Sequence, residues 1–154
     1  MLSGMKIDLG GIAKGYALDC AIDKLKAAGI YCCLINCGGQ VSALGSKFSQ
    51  PWVIGLKHPR GGILPQRLKL INQSVSTSGD YQQYFTKSKK RYCHILNPKT
   101  GYPAESGITS VTVVASDGQT ADALSTAIFV LGKVKAKELA GKYPGAEIKI
   151  ITEN

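Results

Sequence analysis

The stretch TADALSTAIFVLG, residues 120–132, decides how this chain of 154 residues folds. Apolar side chains recur in it at the spacing of one helix face, at Leu124, Ala127, Ile128 and Leu131. Most of its remaining residues are apolar too, and a helix that is apolar nearly all round lies buried in a globular protein. We therefore expect a buried helix from about Thr120 to Leu131, followed by a second, lysine-rich helix near Lys133 to Gly141.

Two oxygen-bearing side chains, Asp122 and Thr126, interrupt this helix. They are four residues apart, so they project from the same face, opposite the leucines. A buried carboxylate without a partner is costly, and two explanations remain open. Asp122 either serves the helix N-terminus, where carboxylates are favoured, or it joins Thr126 and further ligands in binding a hard cation such as Mg²⁺.

The segment IDLGGIAKGYALD, residues 7–19, places a glycine pair between a strand-like stretch and another helix. This helix ends at Gly29, as helices commonly do at glycine, and its apolar face comprises Leu18, Ala21, Ile22 and Leu25. The pair, Gly10 and Gly11, is open to two interpretations. It is either a plain tight turn, or a turn that lets main-chain N–H groups approach an anion at a helix N-terminus.

Several segments have the composition of β-strands. They are IYCCLIN, VSALGS, PWVIGLKHP, LPQRLKLIN, SVSTSG, YCHIL, SVTVVAS and, last in the chain, EIKIIT. Short turns join most of them, so we expect a largely antiparallel sheet in which IYCCLIN is buried and YCHIL and SVTVVAS are central. The sequence contains no repeat and no linker. We predict one α+β domain over residues 1–154.

The formal net charge of +9 suits an anionic ligand, but it also suits a nucleic acid. The densest basic run, KSKKRY at residues 87–92, is expected at a hairpin tip in solvent. No helix-turn-helix, RNP or zinc-finger pattern accompanies it, so we expect no nucleic-acid partner.

The five cysteines form no pattern typical of disulfides or of zinc sites. Their number is odd, they include no C-x2-C pair, and their neighbours are apolar. We therefore expect small buried side chains in a reducing compartment. The first residues lack the apolar segment of a secretory signal, so a cytoplasmic location is expected for the chain as written.

Two further segments carry side chains suited to chemistry. In YCHILNPKTGYPAES, residues 92–106, His94 is expected in an apolar strand, either as a core residue or as a proton-transfer group. In STSGDYQQY, residues 76–84, small and hydroxyl-bearing residues could bring main-chain N–H groups and hydroxyls to a phosphate. The alternative is that Ser78 or Asp80 only caps a short turn. Neither the Walker nor the Rossmann pattern is present.

Six segments, in order and over nearly the whole chain, resemble the ApbE family of flavin transferases, which move FMN from FAD onto proteins. The matching segments are DLGGIAKGYALD, INCGGQVSALG, PWVIGLKHP, VSTSGDYQQYF, YCHILNPKTGYP and ADALSTAIFVLG. The resemblance implies an α+β, T-fold-like domain that takes FAD as donor, with Mg²⁺ on its pyrophosphate. It also implies a reaction that joins FMN to a threonine or serine hydroxyl of an acceptor protein with a flavinylation motif and releases AMP.

The resemblance further implies roles for individual residues. The metal ligands fall on Asp122, Thr126 and the main-chain oxygen of Ala13, and the catalytic histidine falls on His94. The segments that line the FAD site contain Lys14, Gly38, Gly39, Thr77, Ser78 and Gly79. On this basis the glycine pair bends the chain so that Ala13 reaches the metal and Lys14 reaches the nucleotide.

Two features depart from the family pattern. Family members are about twice as long, with DLGG near their middle, so we expect self-association as a homodimer, or a separate partner, in place of an N-terminal half. Asn97 replaces the usual aspartate of the H-x-x-D-P turn, which keeps an acceptor oxygen but loses a negative charge. The alternative function is a non-catalytic flavin-binding or regulatory module. A fragment of a longer family member would be membrane-associated or exported.

Overall fold

A computed structural model describes residues 4–152, with the backbone alone at residues 63–65. It contains two helices, α1 (Ala13–Ala27) and α2 (Gly118–Lys142). The strands, in chain order, are β1 (Cys33–Cys37), β2 (Gln40–Leu44), β3 (Trp52–Lys57), β4 (Ile63–Leu70), β5 (Gln73–Gly79), β6 (Tyr84–Lys87), β7 (Lys90–Cys93), β8 (Ile108–Ala115) and β9 (Glu147–Thr152). Five strands form an antiparallel sheet in the order β1-β2-β5-β8-β9, while β3–β4 and β6–β7 form two hairpins. The α+β prediction is confirmed.

Strand β8 is buried along its whole length, because both of its faces are covered. Alternate residues of a strand point to opposite faces of the sheet. On one face Val111 and Val113 pack in a cluster with Ile128 and Phe129 of α2. On the other face Val114 packs in a second cluster with apolar residues of the β3–β4 hairpin. The sheet is therefore held between α2 and that hairpin.

Helix α2 begins and breaks close to the predicted positions. Asp117 caps it by accepting a hydrogen bond from the Thr120 N–H at 2.7 Å. Its helical angles are interrupted at Gly132, with φ 82° and ψ 174°, so two helical segments follow each other as expected. Because Asp117 is the cap, the explanation that Asp122 serves this N-terminus is wrong.

Neither described helix has the length and apolar character that crossing a membrane requires.

Three predictions about strands are wrong. Strand β1 lies at the sheet edge, so its side chains alternate between half-buried and exposed instead of being buried. Residues 5–9, before α1, form no strand. The run YCHIL contributes only Tyr92 and Cys93 to β7, in a hairpin outside the main sheet, and His94 is exposed beyond its end.

The cysteines are less buried than predicted. Cys93 is buried and Cys33 and Cys37 are half-buried, but Cys20 and Cys32 are exposed, and all five are free thiols. An exposed helix face and the connection before an edge strand leave these two side chains in solvent, whatever their neighbours in sequence. Burial, with a smaller effect of Cys32, raises the pKa of the Cys33 thiol.

Candidate functional site

Helices α1 and α2 cross at two glycines, so that their first turns lie against each other. A Cβ atom at Gly15 would lie 2.5 Å from the carbonyl carbon of Gly118, and one at Gly118 would lie 2.7 Å from the carbonyl oxygen of Gly15. Only glycine permits so close an approach of two backbones. From α1, the Asp19 carboxylate accepts hydrogen bonds from the main-chain N–H groups of Gly118, at 2.6 Å, and Gln119, at 2.9 Å. These bonds anchor the start of α2 to α1.

Asp122 lies where α1, α2 and β5 meet, and it is 2% exposed. Its carboxylate accepts hydrogen bonds from the Gly15 N–H at 3.1 Å and from the Ser76 hydroxyl at 3.2 Å. The Lys14 ammonium, on a side chain that is 45% exposed, lies 3.5 Å from the same carboxylate. Hydrogen bonds and an opposite charge offset the cost of burying an ionised group. The first turn of α1, which follows the glycine pair, thus contacts the Asp122 carboxylate of the same chain.

A chain of hydroxyl groups connects Asp122 to Thr126. The Ser78 hydroxyl lies 2.9 Å from the Ser125 hydroxyl and 3.1 Å from that of Thr126. Ser125 in turn lies 3.4 Å from the Ser76 hydroxyl, which donates to Asp122. Because these groups hold one another, the oxygen atoms of Asp122 and Thr126 are oriented by β5 as well as by their own helix.

Gly11 of the glycine pair packs directly on Thr126. A Cβ atom at Gly11 would lie 3.0 Å from the Thr126 Cγ2 atom. Ala13, which opens α1, donates its main-chain N–H to the carbonyl oxygen of Leu9 at 2.9 Å. The predicted metal ligands of α2 therefore lie beside the start of α1.

The remaining predicted residues of β5 lie differently. Thr77 points to the other face of the strand, where its hydroxyl lies 2.8 Å from that of Thr112, so it is not part of the hydroxyl chain. Gly79 leaves room for Tyr81, whose Cε1 atom would lie 2.5 Å from a Cβ at position 79. Burial, and then the charge of Asp80, raise the pKa of Tyr81. Its phenol therefore stays protonated at neutral pH.

Gly38 and Gly39 form the turn between β1 and β2. Both have positive φ angles, 60° and 94°, and Gly39 donates its N–H to the Asn36 Oδ1 atom at 2.9 Å. Among the described residues, no neighbouring atom lies within 4 Å of a Cβ placed at either glycine. The next residue, Gln40, is 2% exposed and donates its Nε2 to the carbonyl oxygen of Gly118 at 3.0 Å. This bond ties the glycine turn to the start of α2.

His94 lies at the end of the β6–β7 hairpin rather than at the helix junction. Its main-chain N–H and its ring Nδ1 are both 3.0 Å from the carbonyl oxygen of Gln83. Since a carbonyl oxygen only accepts, Nδ1 carries the proton, and Nε2 of the neutral ring keeps its lone pair. Within the part of the chain that the structure describes, no hydrogen bond or ion pair joins His94 to Asp122.

Asn97 shapes the turn that follows His94. Its Oδ1 atom accepts a hydrogen bond from the Lys99 N–H at 3.0 Å, and its carbonyl oxygen accepts one from the Gly101 N–H at 2.8 Å. A side-chain oxygen that binds the backbone two residues on is a feature asparagine and aspartate share. The asparagine therefore keeps this turn and loses only the charge.

In residues 4–152, no group of three or more His, Cys, Asp or Glu side chains is placed to hold a metal ion. Mg²⁺ needs fewer, because it is usually held by one or two carboxylates and completed by other oxygens, water and phosphate. Asp122 and the hydroxyl chain form an all-oxygen donor set, and the Lys14 ammonium, which now lies 3.5 Å from the carboxylate, would have to move away when a metal ion binds. The residues present therefore fit a magnesium ion that takes its other ligands from solvent and a nucleotide.

Sequence reasoning missed four residues that build this junction: Gly15, Asp19, Ser76 and Ser125. Ser76 is two residues from Ser78 on the same strand, so alternation places both on one face and offered a signal. Asp19 and Gly15 contact residues 99 and 107 positions later in the chain, and no local pattern predicts such contacts.

The ApbE family model matches residues 2–150. Two curated relatives are the FAD:protein FMN transferases of Treponema pallidum, 37% identical over 97% of this chain, and of Klebsiella pneumoniae, 39% identical over 98%. These alignments cover 44% and 47% of the relatives' own sequences. The chain thus spans about half the length of the curated relatives it matches.

Solved structures agree with the family match. The ApbE protein of Thermotoga maritima is 48% identical and superimposes with a TM-score of 0.87, over 97% of this chain and 50% of that one. The flavinyl transferase ApbE of Pseudomonas stutzeri is 37% identical with a TM-score of 0.80, over 97% of this chain and 46% of that one. Because the family model covers nearly the whole sequence and the fold agrees with both structures, the chain belongs to the ApbE family.

Proposed function

We propose that this chain transfers FMN from FAD to a threonine or serine hydroxyl of an acceptor protein in an Mg²⁺-dependent reaction. The observation that carries the proposal is the buried Asp122 carboxylate, held by Lys14, Gly15 and Ser76 where both helices begin. A buried carboxylate suits a metal ion, and a partly exposed lysine beside it suits a phosphate chain. The reaction named for the curated relatives supports this choice of substrate.

Asp122, Thr126 and the main-chain oxygen of Ala13 would hold the metal ion. When bound, the ion supplies positive charge to the pyrophosphate of FAD. Ser76 keeps the carboxylate oriented through its hydrogen bond. The Lys14 side chain is long and 45% exposed, so it can turn from the carboxylate to a phosphate oxygen.

Five residues would line the FAD site: Gly38, Gly39, Thr77, Ser78 and Gly79. At Gly38 and Gly39, where no described atom lies within 4 Å of an added Cβ, the missing side chains let a ligand approach the backbone closely. The glycine turn is tied to the start of α2 through Gln40, so a ligand that contacts this turn lies near the helix junction.

His94 would act as the general base. Its Nε2 atom would accept the proton of the acceptor hydroxyl, while the Gln83 carbonyl keeps the other ring nitrogen protonated. The hydroxyl oxygen forms a bond to the phosphorus of the FMN moiety. The bond from that phosphorus to the AMP oxygen breaks, and AMP leaves with the electron pair.

Mass spectrometry of an acceptor peptide, after incubation with the chain, FAD and Mg²⁺, tests the proposal. We expect the peptide to gain the mass of one phosphoester-linked FMN, and AMP to appear in equal amount. A matched reaction with EDTA should give neither product. Binding of intact FAD without any transfer would instead identify a non-catalytic flavin-binding module.

We also propose that the chain associates with a second copy or with a partner polypeptide. Large apolar side chains at the start of the described chain and on α1 are exposed, at Met5, Ile7, Leu9 and Tyr16. Exposed apolar side chains favour association, and so does a sheet-edge strand such as β1. Light scattering at micromolar concentration should detect a dimer, and a monomer at every concentration would contradict self-association.

A further inference from the structure

A cluster of charged side chains lies at the β6–β7 hairpin, among residues that the proposed transfer does not use. A cavity of about 520 Å³, here called the hairpin cavity, is lined by Arg60, Asp80, Thr86, Lys89, Lys90 and Arg91. Four of these side chains are positive and one is negative. The basic run KSKKRY does form the predicted hairpin tip, because β6 pairs with β7 from Tyr84–Cys93 to Lys87–Lys90. Its cations face a cavity and not only open solvent.

One anion is already held in this cavity by a fork of hydrogen bonds. The Arg60 Nη1 and Nη2 atoms donate to the two carboxylate oxygens of Asp80 at 2.8 and 2.9 Å. Arg91 lies 3.9 Å from the same carboxylate, and its guanidinium stacks over the Tyr84 ring, 4.3 Å from the ring centre. A guanidinium held between a carboxylate and an aromatic face is fixed in position before any ligand arrives.

Positive charge remains in excess after these pairings. Glu105, outside the cavity lining, binds Lys90 at 2.6 Å and raises the pKa of that lysine. No ion pair within the described residues involves Lys89, whose backbone has φ 64°, an uncommon angle for a residue with a side chain. Within the described residues, no ion pair therefore offsets the charge of Lys89.

We propose that the hairpin cavity binds an oxyanion of the phosphate class, either free or as part of a nucleotide. A planar carboxylate is satisfied by a single guanidinium fork, which is how Arg60 holds Asp80. A tetrahedral phosphate takes hydrogen bonds from several directions. The Thr86 hydroxyl on β6, the Lys89 ammonium in the turn and the Arg91 guanidinium on β7 supply donors from three parts of the hairpin. The proposal does not depend on flavin transfer.

Isothermal titration calorimetry with sodium pyrophosphate, without Mg²⁺ and at constant ionic strength, tests the site. We expect saturable binding with a Kd below about 1 mM. Arg91→Gln and Lys89→Gln should each weaken it about tenfold or more, the usual effect of removing a hydrogen bond to a charged group. The matched controls Lys24→Gln and Lys137→Gln remove the same charge from helix surfaces and should leave the Kd unchanged.

Competition identifies the source of the anion. If AMP or FAD displaces pyrophosphate, the ligand is a nucleotide phosphate, and if neither does, it is a free anion. Equal weakening in the two helix controls would overturn the proposal, because it would show diffuse attraction to a chain of net charge +9. Citrate binding as tightly as pyrophosphate would also overturn it in favour of a carboxylate site. Should Arg91→Gln disturb the hairpin by circular dichroism, the Lys89 variant decides the question.

Discussion

Replacing Gly15 by alanine tests whether α1 and α2 cross as closely as the structure indicates. The added methyl group would lie 2.5 Å from the carbonyl carbon of Gly118 and 2.8 Å from the Cα atom of Gln119. Ordinary contacts between carbon atoms are about 3.5–4.0 Å. The helices must therefore separate by about 1 Å, which also stretches the hydrogen bond from the Gly15 N–H to Asp122.

Three contributions set the expected loss of stability. Overpacking costs about 1–3 kcal/mol, and weakening a hydrogen bond to a buried charge costs about 1.5–3 kcal/mol. Alanine offsets up to about 1 kcal/mol through its higher helix propensity. We expect the free energy of unfolding to fall by about 3 kcal/mol, which lowers Tm by about 6–12 °C for a chain of this length.

Thermal unfolding followed by circular dichroism measures this change. The matched control is Gly141→Ala, in the last turn of α2, where no described atom lies within 4 Å of the added methyl. We expect its Tm to be unchanged or higher. If Gly15→Ala unfolds within about 2 °C of the unaltered chain, the two backbones do not meet at these glycines and the reasoning fails.

Three other changes probe the chemistry and the thiols. Asp122→Asn should weaken Mg²⁺-dependent FAD binding about tenfold or more, because a charged ligand is removed while its shape is kept; fluorescence titration of FAD measures this. His94→Gln should slow transfer about 10²–10⁴-fold, the usual contribution of a general base, with the FAD affinity unchanged; timed mass spectrometry of the acceptor follows it. The exposed Cys20 and Cys32 should react with maleimide before the other thiols, and the buried Cys93 should react only on unfolding. Cys33 should need a higher pH than an ordinary free thiol, because burial raises its pKa and lowers its thiolate fraction.

For each of these expectations, one specific result would contradict it. Full FAD binding by Asp122→Asn in the presence of Mg²⁺ would remove the carboxylate from the metal site. Equal losses of FAD affinity and transfer rate in His94→Gln would make the histidine a binding residue. Rapid labelling of Cys93 in the folded chain would show that the β6–β7 hairpin opens.

Helix α2 and the central strand β8 were predictable because an element that is buried on every side consists mostly of apolar residues. The apolar residues all round the helix at 120–131 and the run SVTVVAS both reflect this burial, while the break at Gly132 follows from the positive φ that glycine permits. Strand β1 and YCHIL were misplaced for a physical reason. A short apolar run has the same composition at a sheet edge, in a hairpin or in the middle of a sheet, and only the pairing partner separates these cases.

The candidate site was predictable in part. The four-residue spacing of Asp122 and Thr126 placed both on one face, and the structure brings them together with Lys14. The role of Gly15 was not predictable, because it depends on the backbone of Gly118 in another helix. The position of His94 at a hairpin end follows from tertiary pairing, which local sequence does not encode.

Each of the two helices supplies a carboxylate that accepts hydrogen bonds from the first turn of the other. Asp122 of α2 receives an N–H group from the start of α1, and Asp19 of α1 receives two from the start of α2. The partners are 107 and 99 positions apart, so neither helix has its native start until most of the chain has been synthesised. Long-range closure of this kind is slow. In a nascent or partly folded chain the two helix starts are therefore not yet joined, and the amide protons of Gly15 and Gly118 should exchange with solvent only when the whole domain opens.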